Sequence, residues 1–449
     1  MVKLRSKYVC QQCGTSYSKW SGKCDNCGAW NSLLEQASET SGKSVVSRSS
    51  GKKLKTASLA SIATESVGSR IKTGFADLDD VLGGGLMPGG VALMAGQPGI
   101  GKSTLLLQVA AIIANNAAVL YVSGEESEGQ IKLRAERLGA TSDEKLELAA
   151  STSADDIATT IRAGKYQLVI VDSMQTMTLA EISSAPGTVS QITNSSNVIS
   201  RAAKETNTAV ILVGHVTKEG SIAGPKVLEH LVDVVLQFEG DRYGGFKVVR
   251  AIKNRYGATS EAAIFEMVDS GLQPVKNPSA ALLAERQNAD GSVVLSTLEG
   301  TRPLLVEIQA LVNTTHFGYP KRTASGFDLN RLNLLVAVLE KRTKLKLSDK
   351  DIYVNVVGGL KLQDPAADLA VCMAIASAAA ERRLSDDVVV FGEVGLGGEI
   401  RSVHNADRRV SEAKKLGFGF AIAPATKPKQ SFIRDVRDIR QAFIKYLEK

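Results

Sequence analysis

No apolar run in this chain approaches membrane-spanning length. The opening segment, Met1 to Arg5, lacks the apolar core of a secretion signal. These absences predict a cytoplasmic protein with no membrane partner, in a compartment where thiols stay reduced. Charge imbalance is also small. A formal net charge of +7 permits an anionic partner but does not demand one, because basic residues often serve only as a solvated face. Cysteine is scarce, at five residues in 449, and tryptophan scarcer, at two. The chain does have length and apolar content. It is too long for one ordinary core, so two or three domains are expected. A hydrophobic fraction of 44% suits well-packed globular ones.

Four of the five cysteines form two C-x-x-C pairs, Cys10 with Cys13 and Cys24 with Cys27. Gly14 and Gly28 follow the pairs, as tight turns presenting two thiolates to one metal require. The expected occupant is a structural, tetrahedral Zn²⁺. A disulfide or a redox pair would compete for the same residues. Reducing cytosol argues against the first, and the absence of a βαβ pattern here against the second. So small a unit has little core of its own, so the metal must supply folding energy. Trp20 and Trp30 flank it and are expected to pack on it rather than to form a contact surface. The fifth cysteine, Cys372, lies in an Ala-rich apolar run and is expected to be buried.

The most informative stretch is Gly96, Gln97, Pro98, Gly99, Ile100, Gly101, Lys102, Ser103 and Thr104. It fits the phosphate-cradling G-x-x-x-x-G-K-[ST] pattern. An apolar strand (90–95) precedes it and a run of helix formers (104–114) follows. Strand, glycine turn and helix aim backbone N–H groups and a helix N-terminus at a polyphosphate. Lys102 would neutralise the β- and γ-phosphates of ATP, and the Ser103 hydroxyl would hold Mg²⁺.

From about Ile71 strands and helices alternate, which predicts an α/β domain with a mostly parallel sheet. The strand 119–123 ends at Glu125 and Glu126. Carboxylates there lie near bound phosphates, and one could polarise the attacking water. Glu125 is the first choice and Glu126 the second; helix capping is the competing role for either. The strand 168–172 ends in Asp172, a candidate to order Mg²⁺. The strand 208–213 ends at Gly214 and His215, where a polar tip could sense the γ-phosphate or simply face solvent. Two segments, 177–196 and 218–226, carry few core signals and read as connectors or binding loops.

The order of these motifs resembles the RecA-type ATPase core. They are Arg70 to Asp79, Leu82 to Leu86, Gly96 to Ser103, Tyr121 to Ser127, the Asp172 strand and Gly214-His215. With Lys253-Asn-Arg-Tyr-Gly257 and the four-cysteine unit in front, the chain is similar to the bacterial RadA (Sms) family of recombination and DNA-repair proteins. The family's last motif usually has Phe where this chain has Tyr256. The resemblance implies an ATPase stimulated by DNA, working as a homo-hexameric, helicase-like ring that drives branch migration. Single-stranded and branched DNA would be its substrates, and the RecA recombinase a possible partner. It further implies that Lys253 and Arg255 reach a neighbouring subunit's γ-phosphate, although DNA phosphates or surface ion pairs could equally engage them. Two residues apart on a strand, they would share a face. By the same resemblance the two loops would line a channel, with Lys218 and Lys226 tracking the DNA backbone.

The C-terminal part predicts a second, α+β domain. The segments 364–368 and 392–401 resemble the proteolytic domain of Lon protease, which uses a Ser nucleophile activated by a Lys. Here Ala366 stands at the nucleophile position and Asp407 at or near the lysine position, so no peptidase is expected. Its basic residues, Arg401, Arg408 and Arg409 among them, could bind duplex DNA. The expected organisation is a zinc finger (1–35), a flexible linker (36–65), a RecA-like ATPase domain (66–277), a second linker (278–293) and a Lon-protease-like domain (294–449). Two rival functions remain: an ATP-dependent protease, and a nucleotide-switched DNA-binding ring that does not translocate.

Overall fold

The computed structural model describes residues 5–10, 15–26, 28–30, 32–38, 58, 69–140, 145–215, 226–240, 246–315 and 318–447. The chain forms two compact units, 1–63 and 64–449.

The first unit is a three-stranded antiparallel sheet in the order Ser16–Tyr17, Arg5–Cys10, Leu33–Ser38. Cys10, Cys24 and Leu33 bury together, with Tyr8 and Tyr17 packed against them. Contrary to expectation, Trp20 and Trp30 do not pack on this core and are 58% and 74% exposed.

The second unit opens with a nine-stranded sheet. Its order is Gly271–Pro274, Ala262–Val268, Lys247–Asn254, Val234–Gly240, Val91–Gly96, Ala209–His215, Leu168–Asp172, Val119–Ser123 and Leu146–Ala150. The last six of these are parallel and the first three pair antiparallel. The central strands are near-continuous Val, Ile, Leu and Ala because both faces are covered. Alternation along Val91–Gly96 sends Ala92 and Met94 into one core, shared with the helix Lys102–Ala114. Val91, Leu93 and Ala95 enter the other, shared with the helices Ala154–Ala163 and Val189–Thr206.

That last helix corrects the loop expected over 177–196. The Ser-rich stretch is helical from Val189, and Thr188 caps it by accepting from Gln191 N–H. Met177 and Leu179 are also buried. The Gln191 side chain accepts from Leu179 N–H at 2.9 Å and donates to Ile182 O and Ser184 O at 2.8 and 2.9 Å. Three hydrogen bonds from one buried amide thus pin the preceding turn to the helix.

A mixed seven-stranded sheet follows, in the order Arg322–Ser325, Lys350–Val356, Arg302–Thr314, Ser292–Glu299, Val388–Val390, Phe420–Ala423 and Ile433–Asp435. The helix Ala367–Ala380, apolar nearly all round, is buried against it. The expected linker at 278–293 is instead partly structured. Pro278–Leu283 is a helix capped by Asn277, and its Ser279 and Leu282 are buried. Ser279 donates to Glu412 Oε1 at 2.8 Å and accepts from Leu305 N–H at 3.2 Å. Val248, Ile264 and Val275 share one apolar cluster with the C-terminal sheet. Arg250 bridges the halves, pairing with Glu239 at 2.7 Å and with the buried Glu299 at 2.6 Å. Among the described residues no helix is long and apolar enough to cross a membrane.

Candidate nucleotide site

The phosphate loop forms because its glycines adopt conformations that other residues rarely reach. Gly99 and Gly101 have φ of +76° and +116°. A Cβ on Gly99 would meet nothing within 4 Å, so the loop surrounds open space. Helix Lys102–Ala114 starts there with no side-chain cap, leaving its first N–H groups available to an anion. Lys102 is 4% exposed. Its ammonium donates to Gly96 O at 2.9 Å and Gln97 O at 3.0 Å, and lies 3.3 Å from His215 Nδ1. Burial pulls its pKa down to about 8, although the charges of Asp172 and Glu125 oppose the shift. An anionic polyphosphate would supply the missing counter-charge.

Parallel strands bring the acids to the same end of the sheet. Ser103 Oγ donates to Asp172 Oδ2 at 2.5 Å, so a hydroxyl and a carboxylate that suit Mg²⁺ already adjoin. Tyr121 donates to the same oxygen at 2.7 Å. Burial, and then Asp172, push the Tyr121 phenol well above its usual range, so it stays a donor. Glu125 accepts a short hydrogen bond from Ser173 Oγ, and its Oε1 lies 3.5 Å from His215 Nε2. Glu126 instead ion-pairs with Arg134. Neither glutamate caps the following helix, whose N-cap is Ser127, with its N–H donating to Gln130 Oε1 at 2.9 Å. Lys102, His215, Glu125, Asp172 and Ser103 therefore form one cluster. Tyr121, Ser173 and Arg134 join it as supports. Sequence reading did not single them out, although each lies within or beside a motif it used.

Lys253 and Arg255 are elsewhere. The strand Lys247–Asn254 carries a register shift between Ala251 and Lys253 and ends one residue before Arg255. Both side chains converge on the segment 229–233. Lys253 Nζ donates to Glu229 O at 2.6 Å and Val232 O at 2.8 Å, and burial, then Arg255, lower its pKa. Arg255 pairs with Asp233 at 3.0 Å, its side chain still 54% exposed. Asp233, buried and accepting also from Val91 N–H at 3.1 Å, had no sequence signal. Lys226 opens the helix Lys226–Leu231. Lys218, Cys13 and Cys27 lie outside the described residues.

Ala366, the residue expected at the nucleophile position, is fully buried. Asp364 beside it accepts from the Ala366 N–H at 3.0 Å and pairs with Arg409 at 2.7 Å. Arg409 is 1% exposed, so it holds the fold together and is no part of a DNA-binding face, contrary to expectation. Asp407 accepts from Gln430 Nε2 at 2.5 Å.

A mostly parallel sheet with a phosphate loop on its central strand Val91–Gly96, Asp172 two strands away and His215 on the strand between them defines a P-loop ATPase of the RecA type. Residues 58–221 match the AAA domain family, 8–35 the rubredoxin metal binding domain and 332–427 subunit ChlI of Mg-chelatase. The chain is 48% identical to DNA repair protein RadA of Aquifex aeolicus, covering 94% of each chain. It is 46% identical to that of Pseudomonas aeruginosa, covering 96% of this chain and 95% of the other. The solved RadB recombinase is a distant likeness, at 22% identity and a TM-score of 0.36, covering 46% of this chain and 100% of that one. The chain belongs to the RadA family of DNA repair proteins. It is a zinc-ribbon protein with a RecA-like ATPase core and a Lon-like C-terminal domain, and its cofactors are ATP, Mg²⁺ and Zn²⁺.

Proposed function

We propose that this chain is a cytoplasmic, DNA-stimulated ATPase that assembles as a homo-hexameric ring and drives branch migration of recombination intermediates. Single-stranded and branched DNA are its substrates, with the RecA recombinase as a partner. One observation supports the coupling most. The strand Ala209–His215 places His215 between Lys102 and Glu125 and leads directly into the segment that holds Lys218. In this reading His215 would pass a change at the phosphate to the segment that holds Lys218.

In this reading the backbone of Gly96 to Ser103 and the Thr104 turn cradle the phosphates, and Lys102 leaves the loop carbonyls to meet them. Ser103 and Asp172 would hold Mg²⁺, which when bound would supply positive charge against the phosphates. Glu125, oriented by Ser173 and His215, accepts the proton of the attacking water. Glu126, paired to Arg134, shapes the turn. Lys253 and Arg255 act on a neighbouring subunit's γ-phosphate, released for that purpose from the 229–233 segment. Cys10, Cys13, Cys24 and Cys27 would hold Zn²⁺. Cys10 and Cys24 fit that role, being buried together in knuckle turns in which Cys10 N–H donates to Thr15 O and Cys24 N–H to Ala29 O, both at 2.9 Å.

A branch-migration assay with Lys102→Ala as control tests the motor. Wild-type activity that disappears in the variant supports it. A wild type that binds DNA and hydrolyses ATP yet moves no junction leaves a nucleotide-switched ring.

A further inference from the structure

We propose that Trp20 and Trp30 form a base-stacking platform for single-stranded nucleic acid on the N-terminal ribbon. This rests on the DNA reading above and gives it a second contact, carried by the N-terminal unit.

The chain has only these two tryptophans, and both stand in water on one small unit. Indoles are usually highly buried, so such exposure marks a contact surface. The two rings share a site. A Cβ built on Gly22 would lie 3.9 Å from the Trp30 ring and 4.0 Å from that of Trp20. With no side chain at Gly22, a slot is left beside the two exposed indoles.

The slot is held by the metal knuckle itself. Lys23 and Trp30 form an antiparallel bridge around the Cys24 turn. Cys24 N–H donates to Ala29 O at 2.9 Å and Gly28 N–H to Cys24 O at 2.8 Å, while Ser21 Oγ donates to Lys23 O at 2.6 Å. The Lys23 ammonium lies 5.8 Å from the Trp30 ring centroid, and Lys19 is exposed beside Trp20. Rings that accept a base face, with ammonium groups at the rim for phosphates, are what a single strand requires. A duplex offers no free base face. A protein partner would want a wider apolar core. Among the described residues of the ribbon, Leu34 is the sole further large apolar side chain that is well exposed.

Because no other tryptophan exists, intrinsic emission of the full-length, zinc-loaded protein reports on this slot alone. Emission is recorded while a short oligothymidylate is titrated, with occupancy followed independently by anisotropy of a labelled strand. An abasic strand and a duplex serve as comparisons. The expected result is quenching by oligothymidylate and little change with the abasic strand or the duplex at equal occupancy. Trp20→Ala and Trp30→Ala should each weaken oligothymidylate binding about ten-fold. The Phe variants should keep most of it, and zinc content should show that every variant is folded. Saturating oligothymidylate with unchanged emission and unchanged variant affinity overturns the platform and leaves the motor reading intact. Emission that responds only to an added recombinase also overturns it, in favour of a protein contact. Absence of any oligothymidylate binding by anisotropy removes the DNA reading and the platform with it.

Discussion

Gly83 and Gly257 meet backbone to backbone: a Cβ on Gly83 would stand 2.9 Å from the Gly257 Cα, and one on Gly257 would stand 2.7 Å from the Gly83 Cα. The contact is part of a knot. Arg70 Nη2 donates to Tyr256 O at 2.8 Å, and Asn254 Nδ2 to Val81 O at 3.1 Å. Segments some 170 residues apart thus fix the base from which Lys253 and Arg255 extend.

Gly83→Ala should therefore damage both fold and function. Gly83 has φ of +77°, and its added methyl has only backbone to push against. A loss of about 1–3 kcal/mol in stability is expected. Urea unfolding measures it, and an ATPase assay on the folded fraction should show a deficit beyond the stability loss.

Glu125→Gln and Glu126→Gln should separate. Glu125 sits with Ser173 and His215, whereas Glu126 is spent on Arg134. Loss of a general base costs about 10²–10⁴-fold in hydrolysis. That loss is expected for Glu125→Gln, with ATP binding retained, and only a small loss for Glu126→Gln. Single-turnover hydrolysis beside an equilibrium binding measurement distinguishes them.

The lowered Lys102 pKa gives ATP affinity a pH dependence. Below about 8 the amine is already protonated and binds phosphate without proton uptake. Above that value the free protein must take up a proton on binding, so affinity should fall as pH rises towards the ordinary lysine range. Titration with a non-hydrolysable ATP analogue across this range checks it, and Lys102→Ala should remove the slope. In the nucleotide-free protein the same shift has a stability consequence. The unfolded chain binds more protons between about 8 and 10.5, so the penalty for burying Lys102 is relieved as pH rises through that window.

Arg250→Ala should loosen the junction between the two sheets. It leaves the buried Glu299 without its cation, and burial already raises the Glu299 pKa. Breaking such a pair costs about 3–5 kcal/mol. Because the uncompensated carboxylate can take up a proton, the deficit should shrink as pH falls. Unfolding of both proteins at neutral and at mildly acidic pH tests this.

Most of the nucleotide site was legible because its chemistry is local in sequence. A glycine loop between strand and helix, and acids at strand tips, declare their spacing. The residues that orient those groups were not legible. Tyr121 lies inside a quoted motif, but which strand it faces depends on the order of the parallel strands. Asp233 acts through Val91 and Arg255, partners distant in sequence. The helix Val189–Thr206 was missed because Ser195, Ser196 and Ser200 occupy buried positions where apolar residues would have shown the period. The tryptophans were misplaced for the opposite reason. Hydrophobicity predicts burial, but the ribbon's small core is built from Cys10, Cys24 and Leu33, with Tyr8 and Tyr17 against it. The absence of a hydroxyl at Ala366 was readable directly, whereas the Asp364–Arg409 pair beside it was not.

The most direct test of the central claim is steady-state ATP hydrolysis with and without single-stranded DNA, at one low salt concentration. The account predicts several-fold stimulation by DNA, abolished in Lys102→Ala and in Glu125→Gln. Hydrolysis at an unchanged rate in saturating DNA would contradict the coupling of the phosphate site to DNA.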